Sequence, residues 1–193
     1  MQPVPAKNLI LFASGSGSNV ENIARYFAAD PRICIRGVLC NNPKAGVIER
    51  CQRLGLPLYC FNRVAFEDPA GLLRVLQCLE PDLIVLAGFL WKIPEQLVSA
   101  FPRKIINIHP ALLPKFGGKG MYGMHVHQAV VNSRERESGI TIHYVNEAYD
   151  QGAVIFQKKV ALDPSDSPDA VAQKVHTLEY EHYPEIVESL LFS

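Results

Sequence analysis

Short apolar runs alternate with helix-like stretches along the first 109 residues of the chain. The runs are five to eight residues long and lie at residues 8–13, 33–40, 57–61, 83–87 and 104–109. The helix-like stretches lie at residues 19–29, 45–54, 68–79 and 95–100. Because a strand that helices cover on both faces is apolar along its whole length, this alternation predicts an α/β fold with a doubly wound parallel sheet.

The pattern changes after residue 110. A helix-like stretch at residues 126–132 precedes two segments in which polar and apolar residues alternate, at residues 139–145 and 153–160. Seven residues that include Asp150 join these two segments. Such alternation is typical of antiparallel strands, so we expect a hairpin that makes the mostly parallel sheet a mixed one.

A long helical pattern at residues 167–191 follows the hairpin. Ser167 before Pro168 is typical of a helix start, whereas Pro184 is a candidate break inside the pattern. No linker, repeat or low-complexity segment divides the chain. We therefore predict a single domain over residues 1–193.

The balance of charge limits the kinds of ligand that this chain is expected to bind. Lys and Arg number 19 and Asp and Glu number 19, so the chain lacks the basic excess that a general nucleic-acid binder needs. After the polar residues 1–7, the apolar run at residues 9–13 is too short for a signal peptide or a membrane span. We expect a cytoplasmic protein that binds a small molecule and has neither a nucleic-acid nor a membrane partner.

The five cysteines do not suggest a metal or disulfide site. Their number is odd and no two of them form a Cys-x-x-Cys pair, so neither a zinc site nor a complete disulfide framework is indicated. Reduced, mostly buried thiols are predicted for Cys34, Cys40, Cys51, Cys60 and Cys78.

The first apolar run leads directly into a glycine-rich turn, Ser14-Gly-Ser-Gly-Ser-Asn19. Glycines allow a tight turn, and the free N–H groups at the following helix start, the helix dipole and the Ser18 hydroxyl favour a phosphate. The helical pattern begins at Val20, where a dinucleotide fingerprint needs glycine, and no Gly-Lys-Ser/Thr sequence is present. A phosphorylated small molecule without a nicotinamide is predicted; a simple turn capped by Ser18 or Asn19 is the alternative.

A second polar motif ends the fifth apolar run, in Lys104-Ile-Ile-Asn-Ile-His-Pro110. The two-residue period of a strand puts Asn107 and His109 on the same side. An amide and an imidazole at the carboxyl end of a parallel strand can both donate hydrogen bonds to an oxyanion, which favours acyl-type transfer. A buried Asn and His satisfied by neighbouring backbone groups is the alternative.

Four segments together carry a family resemblance: Ser14-Gly-Ser-Gly-Ser-Asn19, Leu86-Ala-Gly-Phe89, Ile106-Asn-Ile-His-Pro-Ala-Leu-Leu-Pro114 and His143-Tyr-Val-Asn-Glu-Ala-Tyr-Asp-Gln-Gly152. In this order they resemble the phosphoribosylglycinamide formyltransferase family, and the match runs nearly end to end. The resemblance implies a Rossmann-like formyltransferase fold and an enzyme of de novo purine biosynthesis. Such an enzyme moves the formyl group of 10-formyltetrahydrofolate, its co-substrate, onto the amine of phosphoribosylglycinamide (GAR) without a metal.

The resemblance also implies roles for individual residues, with GAR phosphate binding in the N-terminal half and folate binding and catalysis in the C-terminal half. The implied catalytic residues are Asn107, His109 and Asp150. The implied GAR-binding residues are Gly17, Ser18, Asn19, His176 and Glu179. The implied folate-binding residues are Arg63, Leu90, Trp91, Lys92, Ile93, Asn107, Asn146, Glu147, Ala148, Tyr149 and Asp150.

These residues suggest direct attack of the GAR amine on the formyl carbon. Asn107 is expected to donate a hydrogen bond to the oxyanion and His109, as an imidazolium, to supply charge or a proton. Asp150 is expected to favour that cation and, through water, to help remove the amine proton.

The chain departs from many relatives at several points. It has Trp91-Lys92 where relatives have an arginine, Asp150-Gln151-Gly152 where they have Asp-Gly-Gly, and a longer loop at residues 115–124. Arg63 is one residue away from the spacing of the family's arginine for the folate tail. His125-Val-His127 lacks a matching carboxylate, so substrate-loop or structural histidines are favoured over a metal site.

Three other functions use overlapping features. Hydrolysis of 10-formyltetrahydrofolate would need the same three catalytic residues, but its enzymes usually carry an extra N-terminal domain. Methionyl-tRNA formyltransferase would add a C-terminal domain and a more basic charge. A non-catalytic sensor would keep the glycine-rich turn and lose Asn107, His109 or Asp150. We expect a monomer or a weak homodimer.

Overall fold

The computed structural model describes residues 5–68 and 71–193. Residues 1–4 of the polar N-terminal segment and residues 69–70 of the predicted helix-like stretch at residues 68–79 lie outside the described residues. Within the described residues, seven strands form one sheet. They are β1 (Lys7–Ala13), β2 (Ile33–Cys40), β3 (Leu58–Cys60), β4 (Leu83–Leu86), β5 (Ile105–His109), β6 (Glu137–Tyr144) and β7 (Val154–Ala161).

The sheet has the strand order β3-β2-β1-β4-β5-β6-β7. The strands from β1 to β5 are parallel, and β6 and β7 form an antiparallel hairpin beside β5. The predicted doubly wound mixed sheet is therefore confirmed. The order reverses between β1 and β4, and a parallel sheet opens onto a ligand at such a reversal, outside the carboxyl ends of its strands.

Seven helices lie among the described residues. They are α1 (Ser18–Tyr26), α2 (Val47–Leu54), α3 (Arg63–Glu67), α4 (Leu72–Leu79), α5 (Glu95–Ala100), α6 (Met124–Asn132) and α7 (Pro168–Leu191). One apolar core joins the sheet to α1, α2, α6 and α7, and a second joins it to α3, α4 and α5. Helices thus cover both faces, which is why the central strands are buried along their length.

Helix boundaries follow local signals in most places. Ser167 caps α7 by accepting a hydrogen bond from the Ala170 N–H (3.2 Å), as its position before Pro168 predicts. Gly55 ends α2 in the left-handed conformation (φ 65°). The candidate break at Pro184 is absent, because α7 continues through this buried proline.

The prediction that the thiols are mostly buried is wrong. All five cysteines are free, but only Cys40 and Cys51 are buried, and Cys60 and Cys78 are exposed. Cys60 ends the short edge strand β3, and Cys78 lies on the outer face of α4 beside the inward-facing Leu79.

Among the helices that the structure describes, none combines the length and apolarity that crossing a membrane requires.

Candidate active site

A cavity of about 670 Å³ opens at the carboxyl ends of β1, β4 and β5. Its lining comes from the glycine-rich turn, the segment after β4, the end of β5, the loop before α6, the β6–β7 loop and α7. Residues of both halves of the chain therefore meet in one cavity. The Leu90 N–H donates to Ser14 Oγ (2.9 Å) and ties the segment after β4 to the glycine-rich turn.

Gly17 gives the glycine-rich turn its shape. Its φ of +77° lies in the left-handed region, and a Cβ there would lie 2.9 Å from the backbone Cα of Val47, so only glycine fits. The helix α1 begins at Ser18, two residues earlier than predicted, and no side chain caps it. The predicted alternative of a turn capped by Ser18 or Asn19 is therefore not observed, and the N–H groups of the first turn stay available to an anion.

Glu179 lies beside this turn and is almost fully buried, with 5% of its surface exposed. Its Oε2 accepts hydrogen bonds from Asn19 Nδ2 (2.9 Å) and from His176 Nδ1 (3.0 Å). The contact with Glu179 raises the pKa of His176, although burial opposes this. The three residues thus form a polar cluster that brings α7 to the start of α1.

Asn107, His109 and Asp150 meet at the end of β5, as predicted for a common site. His109 Nδ1 lies 3.6 Å from Asp150 Oδ2, and both side chains are largely buried. His109 Nε2 donates to the carbonyl oxygen of Phe116 (2.7 Å), because a carbonyl can only accept. In a neutral His109 the lone pair is then on Nδ1, facing Asp150.

Burial lowers the pKa of His109, against the opposing effects of Asp150 and the Phe116 carbonyl. Burial would raise the pKa of Asp150, but His143, His109 and the Gly118 N–H together hold it below its usual value. Asp150 is therefore a carboxylate at neutral pH, and burial favours the neutral imidazole of His109. The imidazolium predicted for His109 stays a prediction, because burial disfavours the charged ring whereas Asp150 favours it.

His143, which was not predicted as a site residue, contacts two of these residues. Its Nδ1 donates to the Tyr144 carbonyl (2.9 Å), so Nε2 is free to accept from Asn107 Nδ2 (3.3 Å). His143 Nε2 also lies 3.6 Å from Asp150 Oδ1. The pairing of Asn107 with His143 across β5 and β6 brings the two together, but it requires the strand register, which the sequence does not reveal.

The long loop before α6 also contacts the site through its backbone. The Phe116 carbonyl accepts from His109 Nε2, and the Gly118 N–H donates to Asp150 Oδ2 (2.9 Å).

Within the part of the chain that the structure describes, no group of three or more His, Cys, Asp or Glu side chains could hold a metal ion.

A family model described as formyl transferase matches residues 7–187. The chain belongs to the formyl transferase family. It is 41% identical over 191 residues to the chloroplastic phosphoribosylglycinamide formyltransferase of Arabidopsis thaliana, a match that covers 95% of this chain and 65% of that protein. It is 36% identical to the phosphoribosylglycinamide formyltransferase of Bacillus subtilis (strain 168), covering 96% of this chain and 95% of the relative.

A solved structure is also similar to this chain. The phosphoribosylglycinamide formyltransferase of Streptococcus pneumoniae TIGR4 matches with a TM-score of 0.85 and 35% identity, over 97% of this chain and 99% of the other. The resemblance to this formyl transferase family, drawn from four sequence segments, is confirmed. The chain spans less than two thirds of the length of the Arabidopsis relative and nearly all of the Bacillus one.

Most of the predicted substrate-binding residues line the cavity. Those of the folate set that line it are Leu90, Trp91, Lys92, Ile93, Asn107, Asn146, Ala148, Tyr149 and Asp150. Arg63 and Glu147 do not line it. Arg63 instead pairs with Glu67 (2.6 Å) and stacks its guanidinium over the Trp91 ring (4.9 Å).

Trp91 lies at the border between the cavity and the second apolar core. It lines the cavity and also packs against the rings of Phe61, Phe66 and Phe89, with centroids 5.3–6.3 Å away. One side of the indole therefore belongs to the second core. The other side is available to a ligand.

Proposed function

We propose that this chain transfers the formyl group of 10-formyltetrahydrofolate to the amine of GAR, giving formyl-GAR for de novo purine biosynthesis. The observation that carries the proposal is the meeting of Asn107, His109 and Asp150 in one cavity with an uncapped helix start.

GAR would occupy the half of the cavity between α1 and α7. Its phosphate would accept hydrogen bonds from the N–H groups of Gly17, Ser18 and Asn19, where the helix dipole also favours an anion. Its ribose hydroxyls would donate to Glu179, whose Oε2 is already held by Asn19 and His176. The amine would then point toward the end of β5.

The folate would occupy the other half. Its pterin would lie against residues 90–93 and the loop at residues 146–150, which line that end of the cavity. Trp91 and Tyr149 offer aromatic surface there, and Lys92 Nζ lies 5.8 Å from the Tyr149 ring centroid. Arg63 and Glu147 lie outside the cavity and would meet only the part of the folate that extends beyond it.

The chemistry needs no covalent enzyme intermediate. The neutral amine forms a bond to the formyl carbon as the carbonyl electron pair moves onto oxygen. This electron pair then re-forms the carbonyl double bond as the bond from the formyl carbon to N10 of the folate breaks. N10 takes up one proton and the new amide nitrogen loses one, so the reaction is balanced without a further reactant.

The protein groups would stabilise the oxyanion and move the proton. Asn107, oriented by His143, would donate its remaining amide N–H to the oxyanion. His109 would donate its Nε2–H to the oxyanion in exchange for the Phe116 carbonyl. Asp150 would accept the amine proton through a water and, by its charge, favour a proton on the facing Nδ1 of His109.

The test offers three formyl acceptors, which are GAR, water and methionyl-tRNA, to the purified protein in the presence of 10-formyltetrahydrofolate. We expect release of tetrahydrofolate to depend on GAR and to match the formyl-GAR formed. Formate release without GAR, at a rate equal to that with GAR, would indicate a hydrolase instead. Formylation of methionyl-tRNA in preference to GAR would indicate the tRNA enzyme, and folate binding without turnover would indicate a sensor.

The glycine-rich turn predicts a strong dependence on the GAR phosphate. Two or three charge-assisted hydrogen bonds are lost in a dephosphorylated GAR analogue, so its affinity is expected to be lower by about 10²-fold. Isothermal titration measures both ligands. Gly17→Ala is expected to weaken GAR binding, whereas a Cβ at Gly46, which does not line the cavity, meets its nearest atom at 3.5 Å and Gly46→Ala serves as the control. Equal affinity for the two ligands would make the turn purely structural.

Replacing His143 is expected to lower the turnover rate and not the binding of GAR. In His143→Ala the Asn107 amide loses its orienting acceptor, so kcat is expected to fall about tenfold while KM for GAR changes by about twofold or less. Steady-state kinetics and a thermal melt of the same sample separate this effect from unfolding. An unchanged kcat in the folded variant would contradict the role.

Trp91 is the only tryptophan of the chain and provides a direct signal for folate binding. Because its indole lines the cavity, its fluorescence is expected to change saturably when a folate analogue displaces water or stacks on it. GAR alone, which would bind at the other end, is expected to leave the fluorescence unchanged. Saturable binding by calorimetry with constant fluorescence would exclude contact between the pterin and Trp91.

A further inference from the structure

His127 is a buried polar side chain in the cavity that the proposed chemistry does not use. It lies on α6, is 3% exposed and lines the cavity. The ring makes no hydrogen bond within residues 5–68 and 71–193, and its Nδ1 is enclosed without a partner. A buried imidazole without a protein partner is costly, and a ligand in the cavity can bind only the ring nitrogen that is not enclosed.

The surroundings of His127 place it in the half of the cavity assigned to GAR. Burial lowers the pKa of its imidazole, as do the nearby His176 and His109, whereas Glu179 raises it. The ring is therefore neutral at neutral pH. Its neighbours are the polar cluster at the start of α1 on one side and the end of β5 on the other.

The tautomer of the neutral ring follows from which nitrogen is enclosed. A neutral imidazole has one N–H and one lone pair. Buried N–H groups without a partner are rarer than unpartnered acceptors, so the enclosed Nδ1 holds the lone pair and Nε2 holds the hydrogen. Nε2 is not among the enclosed unpartnered atoms and is the ring nitrogen open to the cavity.

A second unpartnered atom occurs in the same half. Asn19 Oδ1 is also enclosed without a hydrogen-bond partner, although Asn19 Nδ2 is bound to Glu179. Asn19 on α1 and His127 on α6 both line the cavity, so a ligand between these two helices meets polar side chains from each. In contrast His125, on the same helix as His127, is exposed, lies edge-on to Tyr122 and does not line the cavity.

We infer that His127 is a further substrate-binding residue, whose Nε2–H donates a hydrogen bond to an oxygen of the sugar phosphate of the glycinamide substrate. The inference rests on the proposed function and adds a contact from α6 to those from α1 and α7. It assigns to α6 a part in recognising the sugar phosphate, separate from oxyanion stabilisation at the end of β5.

Variants of His127 distinguish this contact from a structural role. Glutamine places an amide N–H near the position of Nε2, so His127→Gln is expected to keep the Kd for GAR within about threefold. Phenylalanine fills the space without a donor, so His127→Phe is expected to raise that Kd about tenfold while kcat at saturating GAR changes little. Because the phenylalanine substitution removes an unpartnered buried group, the thermal melting temperature of this variant is expected not to fall.

The control is His125→Phe on the exposed side of α6, which is expected to leave the Kd unchanged. Titrations with ribose 5-phosphate and with inorganic phosphate then locate the contact. If both ligands lose affinity in His127→Phe, the contact is with the phosphate, and if only ribose 5-phosphate does, it is with the sugar. Histidine ¹⁵N resonances of the wild-type protein are expected to show the hydrogen on Nε2 and a shift of that signal with the bound ligand.

Two outcomes would overturn the inference in different ways. Equal GAR affinity in the wild-type protein and His127→Phe, with a lower melting temperature in the variant, would make His127 structural and leave the proposed function intact. Failure of the wild-type protein to bind GAR would overturn the proposed function, and this inference with it.

Discussion

Replacing His109 with alanine is expected to lower kcat/KM for GAR formylation by about 10²-fold or more, and Asn107→Ala is expected to do the same. Each variant removes one of the two donors that face the developing oxyanion. The donors act mainly on the transition state, so the loss is expected in kcat rather than in the Kd for GAR. Steady-state kinetics at saturating folate, with circular dichroism of the same samples, measures it.

The matched control is His125→Ala, which removes an exposed imidazole outside the cavity and is expected to retain wild-type kinetics. Near-wild-type rates in either folded variant of the first pair would remove that side chain from the mechanism. A raised Kd for GAR with unchanged kcat would assign the residue to substrate binding instead.

Replacing Asp150 with asparagine is expected to lower the rate by about 10²-fold and to change its pH dependence. The carboxylate raises the pKa of His109, which burial has already brought below its ordinary value of 6.5. Without that charge the pKa of His109 falls further. A step that needs the protonated ring is lost as pH rises through this pKa, so in the variant the loss moves to lower pH. A pH–rate profile over the range below and around pH 6.5 measures the shift.

Glu147→Gln is the control for charge. It removes one negative charge from the same β6–β7 loop, but Glu147 is exposed and does not line the cavity. Its pH–rate profile is expected to match that of the wild-type protein. A profile of Asp150→Asn that is lower in rate but unmoved along the pH axis would limit Asp150 to holding the Gly118 N–H.

The sheet could be predicted because its strands are apolar runs with clear ends. The runs at residues 33–40 and 95–100 match β2 and α5 residue for residue. The helix α3 (Arg63–Glu67) was not predicted, because five residues are too few for a helical period to appear. The side-chain cap of Asn62, which accepts from the Ala65 N–H, is the signal that could have found it.

The site could be predicted only in part. The strand motif indicates Asn107 and His109, and the family resemblance implies Asp150, whereas His143 depends on the register of β5 with β6. The contacts of Phe116 and Gly118 with His109 and Asp150 are made by backbone groups. Such contacts depend on loop conformation and not on residue type, so no sequence motif reports them.

The most direct test follows the formyl carbon itself. The protein is mixed with GAR and 10-formyltetrahydrofolate that carries ¹³C in the formyl group, and the label is followed by NMR. Formation of the labelled formamide of GAR is expected, in step with loss of the labelled folate, without labelled formate and without label on the protein. Appearance of the label as formate, or on a protein side chain before it reaches GAR, would contradict direct transfer by Asn107, His109 and Asp150.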